Sequence, residues 1–574
     1  MKKVLQYLSA YKRESILGPV FKLLEATFEL LVPLVVAAMI DQAIPSHNKS
    51  LALKFGGILV LLALVGFACS ITAQYFAAKA AVGTTQSLRK ATFSKILSLD
   101  PALADSIGTS TLTSRMTSDM AQVQTGINLT LRLLLRSPFV VFGAVIMAFT
   151  VDVTSAWIFV VIVPLMAAVV CSVMAFSIPQ LKIAQKKMDK VLQALRDNFM
   201  GVRVIRAFSK EDAEKREFAS KTHDAMRAYI KSSRISSIMN PATYVLVNGG
   251  IILLIYVGGI RVDHGVLKAG QVIALYNYMT QILVELIKLT NLVMTITKSI
   301  ASAHRIQEIL DLPSEEKGQD LSAAPSESPI LVANHLSYIY EGASMPALED
   351  VSFQAHPGET IGIIGGTGAG KSTLVHILCG LLRQSEGQLS LFGQDTSSAP
   401  LASIRSVATI IPQKPTLFRG SIRSNLEWGM ATAHDDDMME AAKKAQALDV
   451  IESKGGLDGI VEQGGRNLSG GQKQRLTIAR GLLRKTPILI LDDSASALDY
   501  ATESKLRHAL AHLSPKPLLF LVSQRTSSIM HADKILVLDD GRLVGCAPHD
   551  TLLQTCPIYK EIFDSQFNQE GVNA

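Results

Sequence analysis

Glycine at positions 365, 366, 368 and 370, followed by Lys371 and Ser372, makes a run of the form Gly-x-x-x-x-Gly-Lys-Ser, with Thr367 and Ala369 between and Thr373 directly after. Glycines let successive backbone N–H groups close around phosphate oxygens. The apolar run Thr360–Ile364 before it reads as a strand, and Thr373–Leu382 after it reads as a helix. A helix starting there adds its positive dipole end to the nest. Lys371 is expected to reach the β- and γ-phosphates of ATP, and Ser372 to ligate Mg²⁺. Further along, Ile488-Leu-Ile-Leu-Asp492 reads as a buried strand ending in a carboxylate, which would hold the same Mg²⁺ through water.

Between these two segments lies Leu468-Ser469-Gly470-Gly471-Gln472, just before an arginine-containing helix. With the phosphate loop before it and Asp492 after it, this pentapeptide resembles the signature of ATP-binding-cassette ATPases. The resemblance implies two cassettes meeting head to tail, with the signature serine and glycines of one closing over the γ-phosphate held by the other. Further positions match the family in order. Tyr340 resembles the aromatic residue that stacks on adenine, the alternative being an ordinary core tyrosine. Gln413, in Ile411-Pro-Gln-Lys-Pro-Thr, resembles the glutamine that ligates Mg²⁺ and touches the membrane domain. Ser496-Ala-Leu-Asp499 resembles the loop that crosses to the other cassette.

Two catalytic positions depart from the pattern. The family places glutamate, the general base, after the strand carboxylate; this chain has Asp493. The missing methylene retracts the carboxylate by about 1.5 Å. In Ser523-Gln524-Arg525 the family has a histidine, which contacts the γ-phosphate, where this chain has Gln524. The phosphate loop, Gln413 and the signature are intact, so the expectation is a site that binds ATP and hydrolyses it poorly. It would lend its signature to a competent site on a second, non-identical chain. This resembles the degenerate subunit of bacterial heterodimeric multidrug exporters, a slow homodimer being the alternative.

These catalytic segments need a cassette, and the cassette is only half the chain. Of 574 residues, 48% are hydrophobic and 18% charged, and mean hydropathy is +0.28. The apolar excess falls in blocks near Leu17–Ile40, Phe55–Ala73, Leu133–Phe149, Ala156–Phe176, Tyr244–Ile260 and Val272–Ile296. Each is about the length that crosses a bilayer. Connections at Pro45–Ser50, Val151–Ser155 and Arg261–Gly270 are short. Those after the second and fourth spans are long, helical in pattern and rich in lysine and arginine, which places them and both termini in the cytoplasm. The predicted fold class is therefore a membrane all-α six-helix domain (1–310), a Ser/Pro/Glu/Ala linker (311–329) and a cytoplasmic α/β phosphate-loop nucleotide-binding domain (330–574). Residues Ala301–Leu310, Gly201–Phe208 and Ser114–Asp119 resemble the exit helix and the two cytoplasmic loops of exporter half-transporters. Coupling helices are expected near Ala102–Ser110 and Arg206–Asp212.

The net charge of +7 sits largely in those loops, which argues against a nucleic-acid partner. The five cysteines show no metal-ligand spacing and suit a reducing compartment. No cleavable signal peptide is expected at the N-terminus. Lys22, Glu25, Glu29, Glu285 and Lys288 fall inside apolar blocks. They read either as a polar substrate path or as structural ion pairs, and Glu285 and Lys288, three apart, can pair on one helical face. The expected function is ATP-driven export, by default of amphipathic drugs or lipids, across a bacterial cytoplasmic membrane. A dedicated peptide or cofactor exporter and a nucleotide-gated regulator are the alternatives. A soluble two-cassette protein is excluded by the six spans.

Overall fold

The computed structural model describes residues 6–315, 321 and 329–567. The chain forms two compact units: Met1–Leu97 with Ser110–Leu312, and Ser98–Thr109 with Pro313–Ala574. Most of the expected linker, 316–320 and 322–328, lies outside the described residues.

Among the described residues, six helices are long and apolar enough to cross a membrane: Gln6–Ala43, Lys49–Leu97, Thr109–Val151, Val153–Met200, Glu211–Asp263 and Ala269–Asp311. Each expected apolar block is the middle of one of them. The long connections are mostly continuations of the same helices, closed by the short helices Pro101–Ile107 and Val202–Ala207. The second of these ends earlier than the expected Arg206–Asp212, because the chain turns at Phe208–Lys210 with Ser209 at φ +50°.

Lipid offers no hydrophobic drive between helices, so close contact relies on small residues. A β-carbon at Gly126 would lie 2.1 Å from Ser299 Oγ, and one at Gly250 would lie 2.0 Å from Ile162 Cδ1. Ala73, Ala77, Ala80 and Ala81 of the second helix are buried, and Gly18 of the first lies against Ala77. The Tyr278 hydroxyl donates to the Leu30 carbonyl at 2.7 Å.

The intramembrane charges are paired, and the residue at their centre is Arg136, which the sequence reading passed over. Its guanidinium donates to Glu285 Oε1 and to Glu29 Oε2, both at 2.5 Å. Glu285 also accepts from Ser137 Oγ at 2.9 Å and Lys288 Nζ at 2.8 Å. Arg136 and Glu285 are buried, so the third helix is bound to the first and sixth by one shared cation. Lys22 pairs with Glu25 at 2.5 Å. The segments Ser114–Asp119 and Ala301–Leu310 also meet: buried Asp119 accepts from both Arg115 and Arg305.

The second unit is an α/β cassette. Its strands are β1 (Leu331–Tyr338), β2 (Leu348–Ala355), β3 (Thr360–Gly365), β4 (Glu386–Leu391), β5 (Gln394–Asp395), β6 (Ala408–Ile411), β7 (Gly420–Ser421), β8 (Ile460–Val461), β9 (Ile488–Asp492), β10 (Leu518–Val522), β11 (Lys534–Asp539) and β12 (Arg542–Ala547). The central sheet runs β12-β11-β3-β10-β9-β6, parallel apart from β12, beside an antiparallel β2-β1-β4-β5 sheet. Strands β3, β9 and β10 are apolar apart from Thr360 and Asp492 and largely buried on both faces, as parallel strands under helices must be. The Pro101–Ile107 helix belongs to this unit: Asp100 caps it, accepting from Ala102 N–H at 2.9 Å, and Ala102 packs on the cassette core.

Candidate functional site

Register brings the site together. Val522 of β10 lies opposite Asp492 of β9 and Ile363 of β3, so the carboxyl ends of three adjacent parallel strands open into one crevice. Ligands of open α/β sheets bind in such places.

The phosphate loop leaves β3 at Gly365 and enters the helix Lys371–Leu378. The expected helix end, Leu382, is too late: the helix stops at Cys379, and Gly380 at φ +70° reverses the chain, a left-handed stop of the common kind. Gly370 stands at φ +90°, and a β-carbon there would lie 2.5 Å from the Ala347 carbonyl oxygen. Only glycine fits. Gly366 and Gly368, by contrast, face open space, so the crest Gly366-Thr367-Gly368 leaves its backbone approachable, while Ala369 is buried beneath it. Lys371 Nζ donates to the carbonyls of Gly365 (2.9 Å) and Gly366 (2.6 Å). Burial lowers its pKa, against the pull of Asp493 and Asp492.

Asp492, at the end of β9, is buried, and Ser372 Oγ donates to its Oδ1 at 3.4 Å. Burial raises its pKa, opposed by His376 and Lys371. Asp493 follows at φ +44°, a left-handed conformation that short polar side chains tolerate better than most. Gln413, two residues beyond β6, donates from Nε2 to Asp493 Oδ2 at 2.9 Å. Burial also raises the Asp493 pKa, against that hydrogen bond and the charges of Lys371 and Arg525. Tyr340 lies beside the loop, its hydroxyl 3.2 Å from Thr373 Oγ1 and its ring edge-on to Tyr338. It is partly exposed rather than a core residue.

The open glycine crest at a helix start fits a polyphosphate. The hydroxyl, carboxylate and amide oxygens of Ser372, Asp492 and Gln413 are the hard donors that Mg²⁺ takes. These residues would hold MgATP, whose γ-phosphoryl group supplies the reactive bond. Replacing Lys371 with alanine should weaken labelling of the chain by 8-azido-ATP at least tenfold, since charge-assisted bonds to phosphate are the strong ones. Undiminished labelling would remove Lys371 from the site.

The signature residues form a second cluster. Ser469 caps the helix Gly470–Leu483: its hydroxyl accepts from Gln472 N–H at 3.3 Å, while Gln472 Oε1 accepts from Ser469 N–H at 2.9 Å. This reciprocal box satisfies two orphan N–H groups, those of Ser469 and Gln472, and leaves those of Gly470 and Gly471 without an intrahelical acceptor. Gly470 faces open space, and a β-carbon at Gly471 would lie 3.2 Å from the Ala497 carbonyl oxygen. The loop Ser496–Asp499 is therefore next to it. Asp499 caps the helix Tyr500–Ala511 by accepting from Thr502 N–H (2.9 Å) and hydroxyl (2.7 Å). Gln524 is exposed just past β10, and its carbonyl accepts from Gln566 Nε2 at 2.7 Å. The sequence carried no signal for Gln566, whereas Arg136 was visible as a charge within an apolar block.

Comparison with known proteins agrees with this architecture. The family model for the ABC transporter transmembrane region matches residues 15–286, and the model for the ABC transporter matches residues 348–496. The uncharacterized ABC transporter ATP-binding protein YfiB of Bacillus subtilis is 32% identical over 100% of this chain and 99% of its own length. An ATP-dependent lipid A-core flippase of Chromobacterium violaceum is 28% identical over 95% of this chain and 92% of its own. A solved bacterial Atm1-family ABC exporter with ATP bound superposes with a TM-score of 0.82, at 23% identity, over 97% of this chain and all of that one. Six membrane helices, a cassette with a phosphate loop and signature, and full-length relatives lead to one conclusion: this chain is a membrane protein of the ABC transporter family, a half-transporter with the ABC exporter fold.

Proposed function

We propose that the chain is one half of a heterodimeric exporter that moves amphipathic molecules, drugs or lipids, out of the cytoplasm of a bacterial cell, with both termini cytoplasmic. The observation that carries the heterodimer is an asymmetry within one cassette. The loop Gly365–Ser372 and the Ser469 cap are complete, while the base position holds the shorter Asp493 and the switch position holds the uncharged Gln524. In this reading the crest amides, Lys371 and Tyr340 bind ATP. Ser372, Asp492 and Gln413 fix Mg²⁺, and Asp493 orients water poorly. Ser469, Gly470 and Gly471 complete the partner's competent site, where most hydrolysis occurs. The lipid reading draws support from lipid A-core flippases among the relatives, such as those of Chromobacterium violaceum and Yersinia pestis, at 28% and 27% identity.

The test is intact-mass analysis of the tagged chain, purified gently from its host membrane. A second, non-identical half-transporter at equal stoichiometry supports the proposal, and a homodimer alone overturns it. Within the complex, Ser469→Arg should cut turnover on the order of 100-fold, as loss of a preorganised phosphate donor does. Trapped nucleotide should vanish from the partner and persist on this chain. Equal loss on both chains would refute the division of labour.

A further inference from the structure

The loop that follows β10 carries Gln524 but does not hold it in place by packing. The Gln524 side chain is exposed, so its position follows from its backbone. That backbone is tied from two directions. From the helix Pro557–Phe567, Gln566 uses both ends of its amide. Its Nε2 donates to the Gln524 carbonyl at 2.7 Å, and its Oε1 accepts from the Thr526 N–H and hydroxyl at 2.9 Å each. Swapping the amide oxygen and nitrogen would set N–H against the Thr526 N–H and oxygen against the Gln524 carbonyl, breaking both backbone bonds, so the orientation is fixed by its partners. From the helix Tyr500–Ala511, Glu503 accepts from the Ser528 hydroxyl and, at 3.4 Å, from Arg525, and Arg507 donates to the Ser527 carbonyl at 2.7 Å. Glu503 and Thr526 are buried. A buried carboxylate and a buried N–H stay satisfied only while this arrangement lasts.

We propose that Gln566 is a positioning residue of the nucleotide site. Its amide fixes the backbone of residue 524 so that the side chain there meets the γ-phosphate, which makes the helix Pro557–Phe567 a working part of that site. Glu503 braces the same loop from the helix capped by Asp499. A displacement of the Ser496–Asp499 loop is thereby passed to the switch position. The inference rests on the reading of Gln524 as the γ-phosphate contact.

The γ-phosphate is what distinguishes ATP from ADP, so the readout is the ratio of the two affinities. It is measured as competition against 8-azido-ATP labelling of this chain in the purified full complex. Gln524→Ala should lower the ATP preference about tenfold, the worth of one hydrogen bond to a charged group. Gln566→Ala should do the same with ADP affinity unchanged, and should add nothing on the Gln524→Ala background. Gln566→Glu retains the acceptor for Thr526 and the helix, and loses only the donor to residue 524. It is expected to match Gln566→Ala. If Gln566→Glu keeps the parental ratio while Gln524→Ala loses it, the positioning role is wrong. A fall in ADP affinity together with ATP affinity would mean a collapsed site, and would equally overturn it. If Gln524→Ala itself leaves the ratio unchanged, the reading of Gln524 fails, and this inference with it.

Discussion

Replacing Arg136 with leucine should destabilise the membrane domain by about 3 kcal/mol, the low end of the range for breaking a buried ion pair. Two carboxylates, Glu29 and Glu285, take their hydrogen bonds from that one guanidinium. Without it, buried Glu285 keeps Ser137 and Lys288, which is why the cost stays at the low end. Glu29, with a side chain 42% exposed, loses its cation but can find other partners. The same logic predicts recovery. Removing the charges together, as Glu29→Gln, Arg136→Leu and Glu285→Gln, should restore most of the lost stability, because the one ion that then loses its partner, Lys288, has a side chain 44% exposed and can be solvated. Thermal unfolding of the purified complex measures both. A single variant as stable as the parent, or a triple variant no better than the single, would show that the network does not hold the three helices.

Restoring Asp493→Glu together with Gln524→His should raise ATP turnover of the complex by about 10- to 100-fold. A misplacement of about 1 Å can cost roughly 100-fold in rate, and the Asp side chain is short by one methylene. The left-handed backbone at 493 suits aspartate better than glutamate, so part of the gain is spent on holding the longer side chain there. The two changes should exceed either alone, since one lengthens the base and the other replaces an uncharged contact to the γ-phosphate with one that can carry charge. ATPase assays on matched preparations decide it. An unchanged rate would mean that these two positions do not limit hydrolysis.

The sequence showed the elements whose physics is local. Strand β9 ends at Asp492 as read, because an apolar run between turns can only be a buried strand in this setting. The six spans follow from length and hydropathy, and the two long connections between spans emerge as continuations of the same helices. What the sequence hid was pairing over distance. Glu285 showed an i,i+3 partner in Lys288, and that bond exists. Its stronger claim on Arg136 joins residues 149 apart, which no periodicity reveals. Gln566 reaches back 42 residues to Gln524 from a helix that carries no recognisable pattern. Helix ends were likewise misjudged where a left-handed residue stops the chain, as at Gly380 and Ser209.

The helix Val153–Met200 has 48 residues, roughly 70 Å at about 1.5 Å per residue. A hydrocarbon layer of about 30 Å leaves some 40 Å of continuous helix outside it. Such a rod is a lever arm: a tilt of about 5° at the membrane sweeps its far tip through roughly 3 Å, by the length just given. The gain also runs backwards. A tip displaced by the width of one water molecule needs only a few degrees of rotation within the bilayer, so small-residue seams that permit gliding, rather than repacking, are all that the spans must provide.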